Sequence, residues 1–250
     1  SRRRMVPPSG HSMTPPSVRA AKRDEPKRLS IAVLPFTNMS GDPEQEYFSD
    51  GISEDIITDL GKVGALAVTA RNTTFALKGK ALDVGETARQ LRVTHVLEGS
   101  VRKAGARVRI TAQLIDGTTG HHLWAERYDR DLNDIFALQD EIARAIVDAL
   151  KIKLMPGESA GIGQRTTENV EAYQYYLMGR QHALRLGRRN CLAARRHYQR
   201  AIEIDTGYAR ARAGLALVEG WLLITGDASA DLAAVRQEAD RALALDPTIA

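Results

Sequence analysis

The chain has 250 residues, 43% of them apolar, a formal net charge of +4 and one cysteine, Cys191. That length suits two modest domains, each able to bury its own core. A single cysteine excludes an internal disulfide framework and a cysteine-built zinc site, and no apolar run approaches the roughly 20 residues of a membrane span.

The charge is unevenly placed. Residues 1–29 hold eight basic side chains against two acidic ones, +6 in all, so the other 221 residues sum to −2. Residues 1–28 are rich in Pro, Ser, Arg and Lys and cannot bury enough apolar surface to offset their ordering entropy. They read as a disordered basic linker, in preference to a phosphate- or membrane-binding arm. The chain opens on Ser1 without a secretory signal, which suggests a piece of a longer protein.

Leu29 to Phe36 is a short, β-branched, apolar run, as expected of a buried strand stopped by Pro35. Phe48, Ile52, Ile56 and Leu60 then recur every four residues and predict a helix, weakened at Gly51 and released at Gly61 and Gly64. Leu66 to Ala70 reads as a second strand, and Val84 to Leu91 as a helix burying Val84, Ala88 and Leu91. From Thr94 to Tyr128 the period becomes two: Val108, Ile110, Ala112 and Leu114 alternate with Arg107, Arg109, Thr111 and Gln113. Turns at Ala104-Gly105-Ala106 and Asp116 to Gly120 make this a three-strand meander. Ile135, Leu138, Ile142, Ile146, Ala149 and Leu150 mark a third amphipathic helix. The predicted order over residues 29–155 is β-α-β-α-β-β-β-α, an α/β domain with a mixed sheet and one helix-covered face.

Residues 156–166 hold three glycines and no periodicity, and read as a linker. Residues 167–250 are helical and locally repetitive, an all-α helical-hairpin repeat domain. Gly179, Ala194, Tyr198 and Ala201, then Gly214, Ala239, Ala242 and Pro247, are the expected repeat-packing positions. Small side chains there let paired helices approach, and Pro247 ends a helix.

The motifs Leu34-Pro35-Phe36, Ser40-Gly41-Asp42-Pro43-Glu44-Gln45-Glu46-Tyr47-Phe48-Ser49-Asp50-Gly51, Ala70-Arg71-Asn72, Lys78-Gly79-Lys80 and Arg109-Ile110-Thr111-Ala112-Gln113-Leu114-Ile115-Asp116 run in order through the first domain. On them, about half the chain resembles the TolB-like amino-terminal domain of bacterial regulators that carry tetratricopeptide repeats. The second domain is similar to those repeats. It departs from the regular 34-residue form, with 35 positions from Gly179 to Gly214 and 41 from Ala201 to Ala242. The aromatic near the repeat start is Tyr175 in one copy and Arg210 in the next. The resemblance implies a module that follows a class III adenylyl or guanylyl cyclase domain or a winged-helix DNA-binding domain. It also implies a cytoplasmic placement, with inner-membrane tethering where a span precedes the module. No residue here matches a cyclase's metal- or purine-binding motifs.

Other candidate chemistry is weak. Asp129, Asp131 and Asn133 have calcium-loop spacing, but Asp134 replaces the turn glycine, so helix capping explains them better. His121 and His122 are adjacent in a strand and point to opposite faces. Gly61-Lys62 and Gly79-Lys80 lack the rest of a phosphate loop. Cys191 sits among arginines, where a lowered thiol pKa is conceivable, but it reads as a packing residue. The stronger signal is Arg180, Arg185, Arg188, Arg189, Arg195, Arg196 and Arg200, spread over 21 residues without an acid. On stacked hairpins they would offer a positive face to an acidic protein or peptide partner. Nucleic acid is disfavoured, because aromatic interleaving is missing. The expectation is a non-enzymatic regulatory and interaction segment, with no cofactor, metal or catalytic set.

Overall fold

The computed structural model describes residues 29–80, 83–165 and 167–249; the expected disordered linker, residues 1–28, lies outside them. Strands β1 (Leu29–Val33), β2 (Thr37–Asn38), β3 (Leu66–Val68), β4 (His95–Ala104), β5 (Arg107–Asp116) and β6 (His122–Asp131) form one mixed sheet. Its order is β3-β1-β4-β5-β6, with β2 also on β4. β1 runs parallel to β3 and β4, while β4, β5 and β6 form the antiparallel meander expected from the period of two. Pro35 divides the first predicted strand as it must, having no N–H for the ladder. The chain resumes pairing at Thr37 opposite Ser100.

Helix α1 (Glu46–Gly61) buries Phe48, Ile52, Ile56 and Leu60 against the sheet, and α4 (Ile135–Ala149) lies beside it. Short α2 (Arg71–Phe75) was not legible, because five residues are too few to show a period. Helix α3 (Val84–Leu91) corrects one expectation. Its Ala88, with Val84 and Leu91, packs on Leu34 and Val96, which point away from the main core. Both sheet faces are therefore covered near β1, while among the described residues the face of Arg109, Thr111 and Gln113 stays open over the meander. The reason lies in β1 itself, where Ile31 and Val33 point one way, Ala32 and Leu34 the other, and all four are buried.

The expected linker, residues 156–166, begins with a short helix. Residues 156–161 form helix α5 (Pro156–Gly161), whose Glu158 accepts from the N–H of Met155 at 2.8 Å and of Gly64 at 2.7 Å. Lys62 donates to the Gly161 carbonyl at 2.8 Å. The segment is tied down by polar bonds rather than by apolar periodicity, so its composition resembled a linker's.

Four longer helices follow: α6 (Val170–Leu184), α7 (Arg188–Ile204), α8 (Ala209–Ile224) and α9 (Leu232–Leu245). Each contacts the next in chain order, and α6 also touches α8 and α1. Tyr198 of α7 is wedged between two glycines. A Cβ added at Gly179 or Gly214 would come within 2.8 or 2.6 Å of its ring. Ala194 and Ala201 are fully buried beside it. On α9, Ala242 is buried and Ala239 half-buried, while Pro247 follows the end of the helix and is exposed. One apolar core runs from the sheet through α1 and α4 into α6, α7 and α8 without a break.

Candidate functional site: the cleft between sheet and hairpins

The helical hairpins dock on α1 and α4 through a close approach and a buried polar cluster. The close approach is at Gly51, where an added Cβ would lie 2.5 Å from Leu177 of α6. The glycine read from sequence as a weak point in a helix is thus a contact point between two units.

The polar cluster surrounds Asp55, whose side chain lies on the buried side of α1 between Ile52 and Ile56. The Tyr173 hydroxyl donates to Asp55 Oδ2 at 2.5 Å, and Gln139 Nε2 donates to the same oxygen at 2.9 Å. Arg210 Nη1 lies 3.3 Å from Oδ1. Four helices therefore meet on one carboxylate: α1, α4, α6 and α8. Burial pushes the Asp55 pKa up, against the opposing pull of Arg210, Tyr173 and Gln139. Burial likewise raises the Tyr173 and Tyr208 phenols well above their ordinary range. One turn away, Asp59 binds Lys62 at 2.9 Å and Arg165 at 3.4 Å, and Arg165 also pairs with Asp140.

Above this cluster a cleft of about 630 Å³ opens between α1, α6 and α8. Glu54, Asp55, Arg180 and Arg210 supply its charges, and Leu177, Leu184 and Leu217 its apolar lining. Leu184 and Leu217 are exposed, at 50% and 71%. Glu54 is held at 2.9 Å by Arg71 and at 2.8 Å by Arg180 Nε. The cleft thus joins paired charges to exposed apolar side chains.

The predicted arginine face divides. Arg180 points into the cleft and pairs with Glu54, Arg188 bonds Asp227 at 2.6 Å, and Arg195 bonds Glu219 at 2.5 Å and Ser229 at 2.9 Å. Arg200 pairs with Glu203 at 3.0 Å. Arg185, Arg189 and Arg196 are exposed and form no ion pair among the described residues. A count of local charge could not show this division, because most of the acidic partners come from other elements. Asp55, Gln139, Tyr173 and Arg210 were missed for the same reason. The available signals were an acid inside the apolar face of α1, and Arg210 standing where the repeat has an aromatic.

The other candidates fall to ordinary roles. Asp129 is bound by Arg107 at 2.5 Å and Arg109 at 2.6 Å, and Asp131 caps the N–H of Asn133 at 3.0 Å. His121 and His122 are exposed on the hairpin. Cys191 is buried, which pushes its thiol pKa up instead of down. Among the described residues no group of three or more His, Cys, Asp or Glu could hold a metal. None of their helices is long and apolar enough to cross a membrane.

Residues 27–145 match the family model described as HilA/YgeH-like transcriptional regulator, second domain. Over 212 residues the chain is 53% identical to the protein named "Putative adenylate cyclase 3" of Rhizobium meliloti (strain 1021). That match covers 84% of this chain and 36% of the relative, so the chain spans about a third of its length. Among solved structures, TolB of Acinetobacter baumannii is similar at 20% identity and a TM-score of 0.39, over 50% of this chain and 28% of that one. Lipoprotein GNA1162 of Neisseria meningitidis is similar at 21% identity and a TM-score of 0.37, over 50% of this chain and 99% of that one.

Proposed function

We propose that the chain is a regulatory, protein-binding segment of a larger bacterial signalling protein, and that α6 to α9 act as tetratricopeptide-type repeats. The observation that carries this reading is the cleft between α1, α6 and α8, where exposed leucines sit beside paired charges. Stacked helical hairpins build extended surfaces of this kind. The match to a regulator's domain and the identity to a relative named as an adenylate cyclase support a signalling role.

In this reading the segment makes and breaks no bonds itself, and its partner is a protein or peptide. Arg185, Arg189 and Arg196, free of ion pairs among the described residues, give that partner's acidic groups a secondary contact. The test is affinity recovery of a partner on the immobilised 250-residue chain, repeated with Leu217→Glu and with Arg185→Glu/Arg189→Glu/Arg196→Glu. Loss of recovery with Leu217→Glu is the expected result. Recovery unchanged by Leu217→Glu would overturn the cleft, and recovery unchanged by the triple reversal would overturn the cationic contact. Nucleotide turnover by the purified chain, abolished by one acid-to-amide replacement, would overturn the non-enzymatic reading.

A second reading places the segment as the regulatory half of a class III adenylyl or guanylyl cyclase, favoured by the 53% identity to the Rhizobium meliloti protein. The regulator-domain match favours a winged-helix transcription factor instead. Deleting residues 29–249 from the intact gene product and assaying both cyclic-nucleotide synthesis and DNA binding separates the two.

A further inference from the structure

Among the described residues, strand β6 is an outer strand of the sheet and pairs with β5 alone. It is ten residues long and contains no proline, and its charged side chains are of both signs, so they repel a like strand only in some registers. Its one irregularity, a register shift at Leu114/Ile115, lies towards the His122 end and leaves Glu126 to Arg130 in regular pairing.

Glu126, Arg127, Tyr128, Asp129 and Arg130 carry charges in the order minus, plus, none, minus, plus. Read backwards, that order is inverted about Tyr128. An antiparallel copy of the strand centred on Tyr128 therefore sets Glu126 opposite Arg130 of the second copy, and Arg127 opposite its Asp129. By symmetry this makes four opposite-charge pairs. The faces also agree. Residues two apart share a sheet face, so Arg127 meets Asp129 on the open face, and Glu126 meets Arg130 on the face of α4.

Neighbouring registers lack this match. An axis at Arg127 sets that arginine against itself and leaves no opposite-charge pair. An axis at Asp129 keeps only Arg127 with Asp131. The two basic groups are available: Arg127 is exposed and makes no ion pair among the described residues, and Arg130 stands 3.7 Å from Glu141 with both side chains about half exposed. Asp129 already holds Arg107 and Arg109, and Glu126 accepts from the Tyr128 hydroxyl.

We infer that two copies of this chain join edge to edge through antiparallel β6 strands about a two-fold axis at Tyr128, making one continuous sheet. The two-fold contact is self-complementary, as a closed dimer requires. This interface lies on β6, away from the proposed binding cleft, and stands or falls independently of it.

The test is sedimentation of the 250-residue chain over a concentration series, with circular dichroism to verify folding. Glu126→Arg faces arginine across the axis and Arg130→Glu faces glutamate. Each is expected to weaken the dimer about tenfold or more, because two attractive facing pairs become repulsive. The double variant Glu126→Arg/Arg130→Glu restores opposite charges and is expected to recover the dimer. Register is read by oxidising a mixture of Arg127→Cys and Asp129→Cys chains, which should cross-link to each other more readily than either does to itself. A chain that stays monomeric at about 100 µM overturns the inference and leaves the edge to an extended peptide of another protein. A dimer untouched by both single reversals overturns it as well.

Discussion

The Tyr173 hydroxyl reaches from α6 into the sheet domain and donates to the Asp55 carboxylate at 2.5 Å. Phe136 packs edge-on against the same ring, with centroids 5.1 Å apart, so the tyrosine has an apolar body in the core and a polar tip on the acid. Tyr173→Phe keeps the packing and removes one donor from a buried carboxylate. A hydrogen bond to a charged group is worth about 1.5–3 kcal/mol, and chemical denaturation should show a loss of that size. Proteolysis should show the loss first at the junction of α1 with α6.

The pH dependence of Asp55 has a definite sign. Burial raises its pKa above the ordinary 3.8, so the folded chain binds this proton more tightly than the unfolded chain does. The resulting stability is complete below 3.8 and is lost as pH rises through the folded value. Asp227 behaves oppositely. Hydrogen bonds from Ser229, followed by Arg188, lower its pKa to about 2, so its contribution is present above 3.8 and is lost as pH falls toward 2. Denaturation midpoints measured across the acid range should therefore show a shallower acid-side slope in Asp227→Asn, with Asp116, Asp129, Glu158 and Asp246, also lowered, supplying the remainder. In Asp55→Asn the decline on the less acid side should flatten.

Gly51 makes a prediction of opposite signs in two contexts. In an isolated helix Gly→Ala is stabilising by about 1 kcal/mol. Here the added methyl would meet Leu177 at 2.5 Å, and overpacking costs about 1–3 kcal/mol. Gly51→Ala should destabilise the chain by thermal unfolding. Gly51→Ala/Leu177→Ala should be less destabilised than the sum of the two single changes, because the second removes the obstruction.

These relationships explain which features were legible in the sequence. The meander was readable because Val108, Ile110, Ala112 and Leu114 repeat locally, and α1 and α4 because their apolar faces recur every three to four residues. Gly179, Tyr198 and Gly214 stood out because small and aromatic residues allow close helix approach, and a Cβ at either glycine would meet the Tyr198 ring. The union of sheet and hairpins was not readable. It depends on Asp55 meeting Tyr173 and Arg210, which lie 118 and 155 positions away, and on a glycine whose local meaning is only flexibility. Pairing across such distances leaves no periodic trace.

The divided arginine cluster gives a final contrast. Arg195 sits between α7 and α8 with its guanidinium on Glu219, both side chains largely buried at 14% and 11% exposure. Arg189, six residues earlier, is exposed and has no ion pair among the described residues. Removing one member of a buried pair strands the other charge away from water, at about 3 kcal/mol, whereas truncating a solvated arginine changes stability by about 0.5 kcal/mol or less. Arg195→Ala should therefore lower the unfolding midpoint clearly, and Arg189→Ala should leave it in place. Arg195→Ala/Glu219→Ala should be less destabilised than the two single losses added together, since the second change removes the stranded acid. Equal midpoints for Arg195→Ala and Arg189→Ala would show that the α7–α8 junction does not depend on this pair.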